Sequence, residues 1–439
     1  MSAIAQYLRW SGLEIAGSDR LADSADSRRT RACLSEIGCR VDPQDGRSIG
    51  AATGALVVST AIESSNPDIA EANARGLPVF HRSEVLAAIV DTKRTIAVAG
   101  TSGKSTVTAM IFDFLDHCGM SPSVITGAGL SSLIDRGFIG NARVGKSDLL
   151  VIEADESDGT LVRYHPHLSL FLNVSKDHKP VAETQAMFRT LAAQSAHVMK
   201  NAESEELAEL LAERTFGFGP SAMCRPDKVT PRGFSTRVTW RGTTFELRLP
   251  GAFNVANVMA AFCVAESLGC EPSALAKAAA SYRGIYRRFS VYPTLRGVSV
   301  VDDYAHNPEK IRAALTTAQL LTPRVLAIFQ PHGFGPTRFL KDDLVETFAA
   351  VVRPKDELFL LPIYYAGGTA DKSISSGDIA APLAGRIAVS TPASRPELLD
   401  ALAQKARKGD CVILMGARDP SLEALARQIV QALGGLVTP

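Results

Sequence analysis

The sequence has no C-x-x-C pair, no apolar run long enough to cross a bilayer, no basic start leading into an apolar core, and no surplus of either charge. Each absence removes a class of protein. Seven cysteines (Cys33, Cys39, Cys118, Cys224, Cys263, Cys270, Cys411) are scattered and odd in number, a pattern of reduced, mostly buried thiols rather than a disulfide framework. With 47 basic against 46 acidic side chains, a net charge of +1 gives no electrostatic ground for nucleic acid or an anionic membrane as partner. Lacking spans and leader, the chain is expected to be cytoplasmic. No repeat with a period of about 20–50 residues marks a solenoid or propeller.

What is present is a chain of 439 residues, 46% apolar and 21% charged, too long for one core of ordinary size. About three domains are expected. At the start, Ile4, Tyr7 and Leu8 share a helix face, Ser11-Gly12 supplies a stop, and residues 13–16 form a short apolar run before Gly-Ser-Asp. Helix then strand is the second half of a βαβ unit. The first strand and its glycine turn are expected to be missing, through a start placed too late or through a real loss that changes the substrate.

The first ninety residues alternate apolar runs, "GALVVST" and "LPVF", with helical stretches such as "NPDIAEANARG", a parallel α/β pattern. Strands are expected at "RTIAVAG" (94–100), "DLLVIEAD" (148–155) and "LSLFLNVS" (168–175), then a polar strand patch, "FSTRVTWRGTTFELRL", and a helix over about 254–268. Beyond "GIYRRFSVYP" the α/β alternation resumes in "GVSVVDDY", "RVLAIFQP", "DELFLLPI" and "DCVILMG". Domains are expected at 1–92, 93–286 and 287–439.

The most specific chemical signal is "TIAVAGTSGKSTVTAMI", an apolar strand running through Gly100-Thr101-Ser102-Gly103-Lys104-Ser105-Thr106 into a helix. That is the setting a phosphate loop requires. Gly100 and Gly103 let backbone N–H groups approach phosphate oxygens, Lys104 brings charge to the β/γ-phosphates, and the Ser105 hydroxyl can hold Mg2+. Val98 stands where the longer form of the loop has its first glycine. A nucleotide site also needs a carboxylate at a neighbouring strand end, and Glu153 follows its apolar run directly. "NVSKDHKP" ends the next strand, making His178 a candidate second metal position beside a possible structural role.

Together these motifs resemble the Mur ligase family, the ATP-dependent amide-forming enzymes of peptidoglycan assembly. Eleven segments carry the resemblance in order: "AGSD", "VVSTAIESSNPDIAEA", "GTSGKST", "EADESD", "NVSKDH", "GAFNVANVMAA", "YRRF", "DDYAHNP", "FQPH", "YYAGG" and "MGARD". The likeness is nearest the branch adding L-alanine to UDP-N-acetylmuramate, followed by the branch recycling a tripeptide onto the same acid. It implies three α/β domains: a truncated Rossmann-like N-terminal domain of UDP-sugar-binding type, a central P-loop ATP-binding domain, and a Rossmann-like C-terminal domain for the amino acid.

It further implies that Lys104 and Ser105 contact the triphosphate and Mg2+, that Glu153 and His178 are metal ligands, and that Asn254 and Asn257 face adenine. Read alone, the two asparagines could equally cap a helix or lie buried. Arg288 would reach the γ-phosphate from the hinge, Arg287 being the weaker candidate, and Asp303 and His306 would bring the C-terminal side of a site closed before chemistry. The substrates implied are ATP, UDP-N-acetylmuramate and L-alanine, reacting through an acyl phosphate. "MFRTLAAQSAHVM" has no lysine for the carbamylated metal ligand of other branches, as fits alanine addition. Two departures stand out: Ser102 replaces the branch's usual histidine, and Gly333 replaces the arginine after "FQPH". They keep open a ligase with another acid or amine, and a nucleotide-binding pseudoenzyme.

Overall fold

The computed structural model describes the chain except residues 21, 23–26, 60–61, 158, 176–178, 366–370 and 436–439. Two compact units divide it, Met1–Ile285 and Tyr286–Pro439.

The first unit begins with α1 (Ser2–Trp10), β1 (Ala16–Ser18), α2 (Arg28–Glu36), β2 (Arg40–Asp42), β3 (Leu56–Val58), α3 (Pro67–Ala74), β4 (Val79–His81) and α4 (Arg82–Asp91). Helix α1 buries Ala3, Ile4, Gln6 and Tyr7, one face of a 3.6-residue period. It ends at Ser11 and Gly12, as its sequence implies. The strand expected over 13–16 forms later. The Leu13 amide donates to Leu8 O (3.1 Å) and so closes the helix, and only from Ala16 does the backbone pair with β2. β1 pairs in parallel with β2, and β3 with β4; among the described residues no strand joins the two pairs. Buried Asp68 in the first turn of α3 ties them together, accepting from Ser18 Oγ and from Gly46 N (2.8 Å).

The rest of this unit is built on β5 (Arg94–Ala99), β6 (Ser123–Ile125), β7 (Ala142–Arg143), β8 (Leu149–Ala154), β9 (Leu168–Phe171), β10 (His197–Asn201) and β11 (Arg214–Phe216). Their order is β11-β10-β9-β5-β8-β6-β7, parallel except for β7. β5 lies between β9 and β8 and is buried over residues 95–99, as a parallel strand covered on both faces must be. Helices α5 (Lys104–His117), α6 (Ser131–Ile134) and α7 (Val181–Ala193) connect the strands. An antiparallel sheet of β12 (Lys228–Arg232), β13 (Ser235–Trp240) and β14 (Thr243–Leu247) precedes α8 (Ala252–Ser267) and α9 (Pro272–Ser281).

Helix α8 is apolar and buried continuously from Val258 to Ala265, so it must sit inside the unit. The Phe262 ring meets Trp240 at 4.5 Å, Phe245 at 5.7 Å and Phe114 of α5 at 5.4 Å between centroids. One ring thus joins the antiparallel sheet, α8 and α5. Deeper along α5, Asp113 accepts a hydrogen bond from Ser132 Oγ (2.6 Å), and burial pushes its carboxyl up to about 7.

The second unit has a six-stranded sheet: β15 (Ser290–Pro293), β16 (Ser299–Asp303), β17 (Val325–Gln330), β18 (Glu357–Leu360), β19 (Val389–Ser390) and β20 (Cys411–Gly416), in the order β15-β16-β20-β17-β18-β19, with only β15 antiparallel. Its helices are α10 (Pro308–Leu321), α11 (Phe334–Val351), α12 (Gly377–Ala380), α13 (Arg395–Lys405) and α14 (Leu422–Ala432). Both units are α/β, as the sequence implies, and all seven cysteines are free. No helix among the described residues is long and apolar enough to cross a membrane.

Candidate active site

The loop between β5 and α5 is shaped by its glycines. Gly103, the N-cap of α5, has φ +88°, in the left-handed region that costs an L residue roughly 1–2 kcal/mol. A Cβ at Gly100 would come within 2.9 Å of Leu172 Cβ, so the loop lies directly on the chain leaving β9. Asn173 clamps it there. Its Oδ1 accepts from Ser102 N (2.9 Å) and Thr101 Oγ1 (3.0 Å), while its Nδ2 donates to Ser102 O (3.0 Å). The first amides of α5 have no partner within the helix, and with the helix dipole behind them they are the kind of group that favours an anion. Lys104 donates from Nζ to Gly100 O (2.8 Å) and to Glu156 Oε2 (2.7 Å), and Thr106 lies half-buried in the first turn of the helix.

Beside the loop, β8 delivers Glu153. The Ser105 hydroxyl donates to Glu153 Oε2 (2.9 Å), and Glu153 Oε1 accepts from Thr126 Oγ1 and from Gly127 N (3.1 Å). A carboxylate and two hydroxyls are oxygen donors only, the set that suits a hard cation such as Mg2+. His178 lies outside the described residues.

Helix α8 meets the loop from another side. A Cβ on Gly103 would stand 3.0 Å from Asn257 Oδ1, so Asn257 abuts the phosphate loop. Asn254 is buried and donates from Nδ2 to Pro250 O (2.7 Å), fastening the start of α8, with Asn257 Nδ2 3.5 Å from its Oδ1.

In the second unit, the adjacent arginines divide. Arg287, at φ +53°, is buried; Nε donates to Asp302 Oδ1 (2.9 Å) and Oδ2 (3.1 Å), and Nη2 to Gly416 O (2.9 Å). Arg288 is exposed. Burial pushes the Asp302 carboxyl up to about 6, with Arg287 opposing the rise. Asp303 takes the Phe289 amide (2.7 Å) and the Ala305 amide (2.8 Å), so its carboxylate shapes the turns after Arg288 and before His306. Burial raises it as well. Asn307 caps α10 by accepting from Lys310 N (2.9 Å), with Pro308 at the first helical position. His306 Nδ1 bonds Tyr304 O (2.9 Å), and its ring lies 5.6 Å from that of His332, whose imidazole is driven down to about 4 by burial, then by His306 and Arg418. These groups follow β16, β17 and β20, three adjacent strand ends where the strand order crosses over, the usual position of a ligand crevice in such sheets. Gly333, at φ +70°, is the N-cap of α11 and donates to Tyr364 O (2.8 Å).

Sequence reasoning missed Asn173 and Thr126, and took Glu156 only as one of the carboxylates of "EADESD", behind Glu153. Each stands just past or at the end of an apolar run, a signal for a residue at a strand's carboxyl end but silent about its partner.

A strand, a glycine loop over a helix N-terminus and a carboxylate on the next strand define a phosphate-binding α/β enzyme. The chain belongs to the Mur ligase family. Three family signatures match it: the Mur ligase family catalytic domain over residues 1–94, the Mur ligase middle domain over 98–265, and the Mur ligase glutamate ligase domain over 287–418. It is 36% identical to the UDP-N-acetylmuramate–L-alanine ligase of Paenarthrobacter aurescens, over 99% of this chain and 95% of the relative. With the enzyme of that name from Pelotomaculum thermopropionicum it shares 33% identity, over 95% and 92%. In fold it resembles the UDP-N-acetylmuramate–alanine ligase of Thermotoga maritima (TM-score 0.77, 24% identity, 98% of this chain and 96% of that one).

Proposed function

We propose that this protein joins L-alanine to UDP-N-acetylmuramate at the expense of ATP, a step of peptidoglycan precursor synthesis. The likeness over almost the whole chain to relatives named for that reaction carries the reading. The Lys104, Ser105 and Glu153 cluster supports the ATP part.

A carboxylate oxygen of the muramate attacks the γ-phosphorus, the bond to the β–γ bridging oxygen breaks, and ADP departs. The alanine amine then adds to the acyl carbon, loses a proton, and phosphate leaves from the tetrahedral intermediate. The loop amides and Lys104 bear the charge that builds during phosphoryl transfer. Ser105 and Glu153, with His178, would hold Mg2+, which supplies charge neutralisation on the phosphoryl oxygens when bound. Asn257 and Asn254 are assigned to the adenine side, Arg288 to the γ-phosphate and His306 to the amine side. Domain assignments at 1–92, 93–286 and 287–439 go with this division of labour.

A second reading, the same chemistry on a larger amine such as a tripeptide, is favoured by Gly333, where no side chain projects from the start of α11. Phosphate release from ATP decides between them. It is expected only when UDP-N-acetylmuramate and L-alanine are both present. Release with the tripeptide and not with L-alanine would select the second reading, and release that no amine stimulates would reject both.

A further inference from the structure

We propose that Glu156 is a positioning residue for phosphoryl transfer, acting through Lys104. This rests on the phosphate-loop reading above and assigns a task to a residue which that reading leaves unused. The Glu156 side chain is 2% exposed and Lys104 14% exposed, 2.7 Å apart between Oε2 and Nζ. A carboxylate so deeply buried is costly unless paired, and here the pair is made by the one lysine of the loop.

The location is electrostatically adverse for holding nucleotide. An anion on the phosphate-binding lysine weakens the attraction of that lysine for a triphosphate. Its benefit lies in direction. An ammonium has three N–H donors; one goes to Gly100 O at 2.8 Å and one to Glu156, while Asp155 at 3.7 Å is beyond hydrogen-bond reach. Fixing two tetrahedral directions fixes the third. Glu156 thereby converts a flexible point charge into an aimed donor for a phosphoryl oxygen, useful where charge develops during transfer rather than in ground-state binding. Glu156 follows β8 and Lys104 begins α5, so the adjacency of β5 and β8 creates the pair.

The expected signature is a split between turnover and binding. In Glu156→Gln, kcat should fall by at least ~10-fold, while the dissociation constant for a non-hydrolysable ATP analogue, measured by calorimetry, stays the same or tightens. Glu156→Asp, which keeps the charge one methylene short, should recover part of the turnover and guards against a Gln variant that fails to fold. In a Lys104→Ala background, adding Glu156→Gln should change kcat no further, because the residue acts through the lysine. Unchanged kcat in the single variant, weakening of analogue binding in step with a lowered Tm, or full additivity with Lys104→Ala would each overturn the proposal. Lys104→Ala alone separates the two levels of argument: if it retains turnover, the phosphate-loop reading fails, whereas if it loses turnover and Glu156→Gln does not, only Glu156 is wrongly assigned.

Discussion

Asn257 stands so close to Gly103 that a Cβ on the glycine would meet its Oδ1 at 3.0 Å, and the glycine's φ of +88° already disfavours a side chain there. Gly103→Ala therefore faces strain of roughly 1–2 kcal/mol and a contact that must open. ATP affinity should fall by about 10-fold or more, with a drop of only a few degrees in Tm. Combining it with Asn257→Ala should relieve the contact and leave the strain, so thermal stability should recover in part. Calorimetric titration and thermal unfolding of both variants check this.

Glu153→Gln places an amide where two hydroxyls and a backbone N–H now donate, and removes the charge a divalent cation needs. The Mg2+ concentration for half-maximal turnover should rise by at least ~10-fold, or ~1.4 kcal/mol. An unchanged Mg2+ dependence would take Glu153 out of the metal shell.

The neighbours Arg287 and Arg288 should respond oppositely. Arg287→Met leaves Asp302 buried without its cation and should destabilise the second unit by about 3–5 kcal/mol. Arg288→Met should change stability by no more than about 0.5 kcal/mol while lowering turnover ~100-fold. Unfolding curves beside initial rates distinguish the two.

Asp113 predicts a pH dependence. Its carboxyl rises from the ordinary 3.8 to about 7 through burial, so between those values the folded chain keeps a proton the unfolded chain has released. Stability from this group is full below about pH 4, is lost as pH rises towards 7, and stays low above it. At ~1.4 kcal/mol per tenfold change in proton affinity, the loss is up to roughly 4 kcal/mol. Asp113→Asn keeps an acceptor for Ser132 and should unfold later than the parent at pH 8 but not at pH 4. Denaturant unfolding at the two pH values measures the difference.

Much of the site was legible because its signals are local. Gly100 through Ser105 sit in consecutive positions between an apolar strand and a helix, and Glu153 closes an apolar run. Asn173 and Glu156 were not legible as a clamp and a tether, since their roles depend on β9 and β8 being the two neighbours of β5, a pairing decided by the folded sheet. The same contact explains a strand read too long. The Leu172 amide still donates to Ala99 O (2.9 Å), and beyond it Asn173 and Ser175 bond the phosphate loop at Thr101 and Ser102 in place of a regular ladder. At the N-terminus the helix stop was legible at Ser11-Gly12, but the Leu13 amide's return to Leu8 O was not, so the first strand was placed early. Arg287 and Arg288 differ only in which one burial claims.

The packing around Phe262 has a consequence for how nucleotide is received. The helix that starts at the phosphate loop and the helix that carries Asn257 share one aromatic knot, closed by Trp240 from the antiparallel sheet. With Asn257 on the adenine side, as proposed, these two helices are brought into register when the chain folds, and little ordering remains to oppose nucleotide binding. Affinity for nucleotide should persist on warming until this knot melts and then vanish with it. Trp240, almost wholly buried against Phe262, is its built-in reporter: its emission should shift to the red over the same few degrees in which ATP ceases to bind.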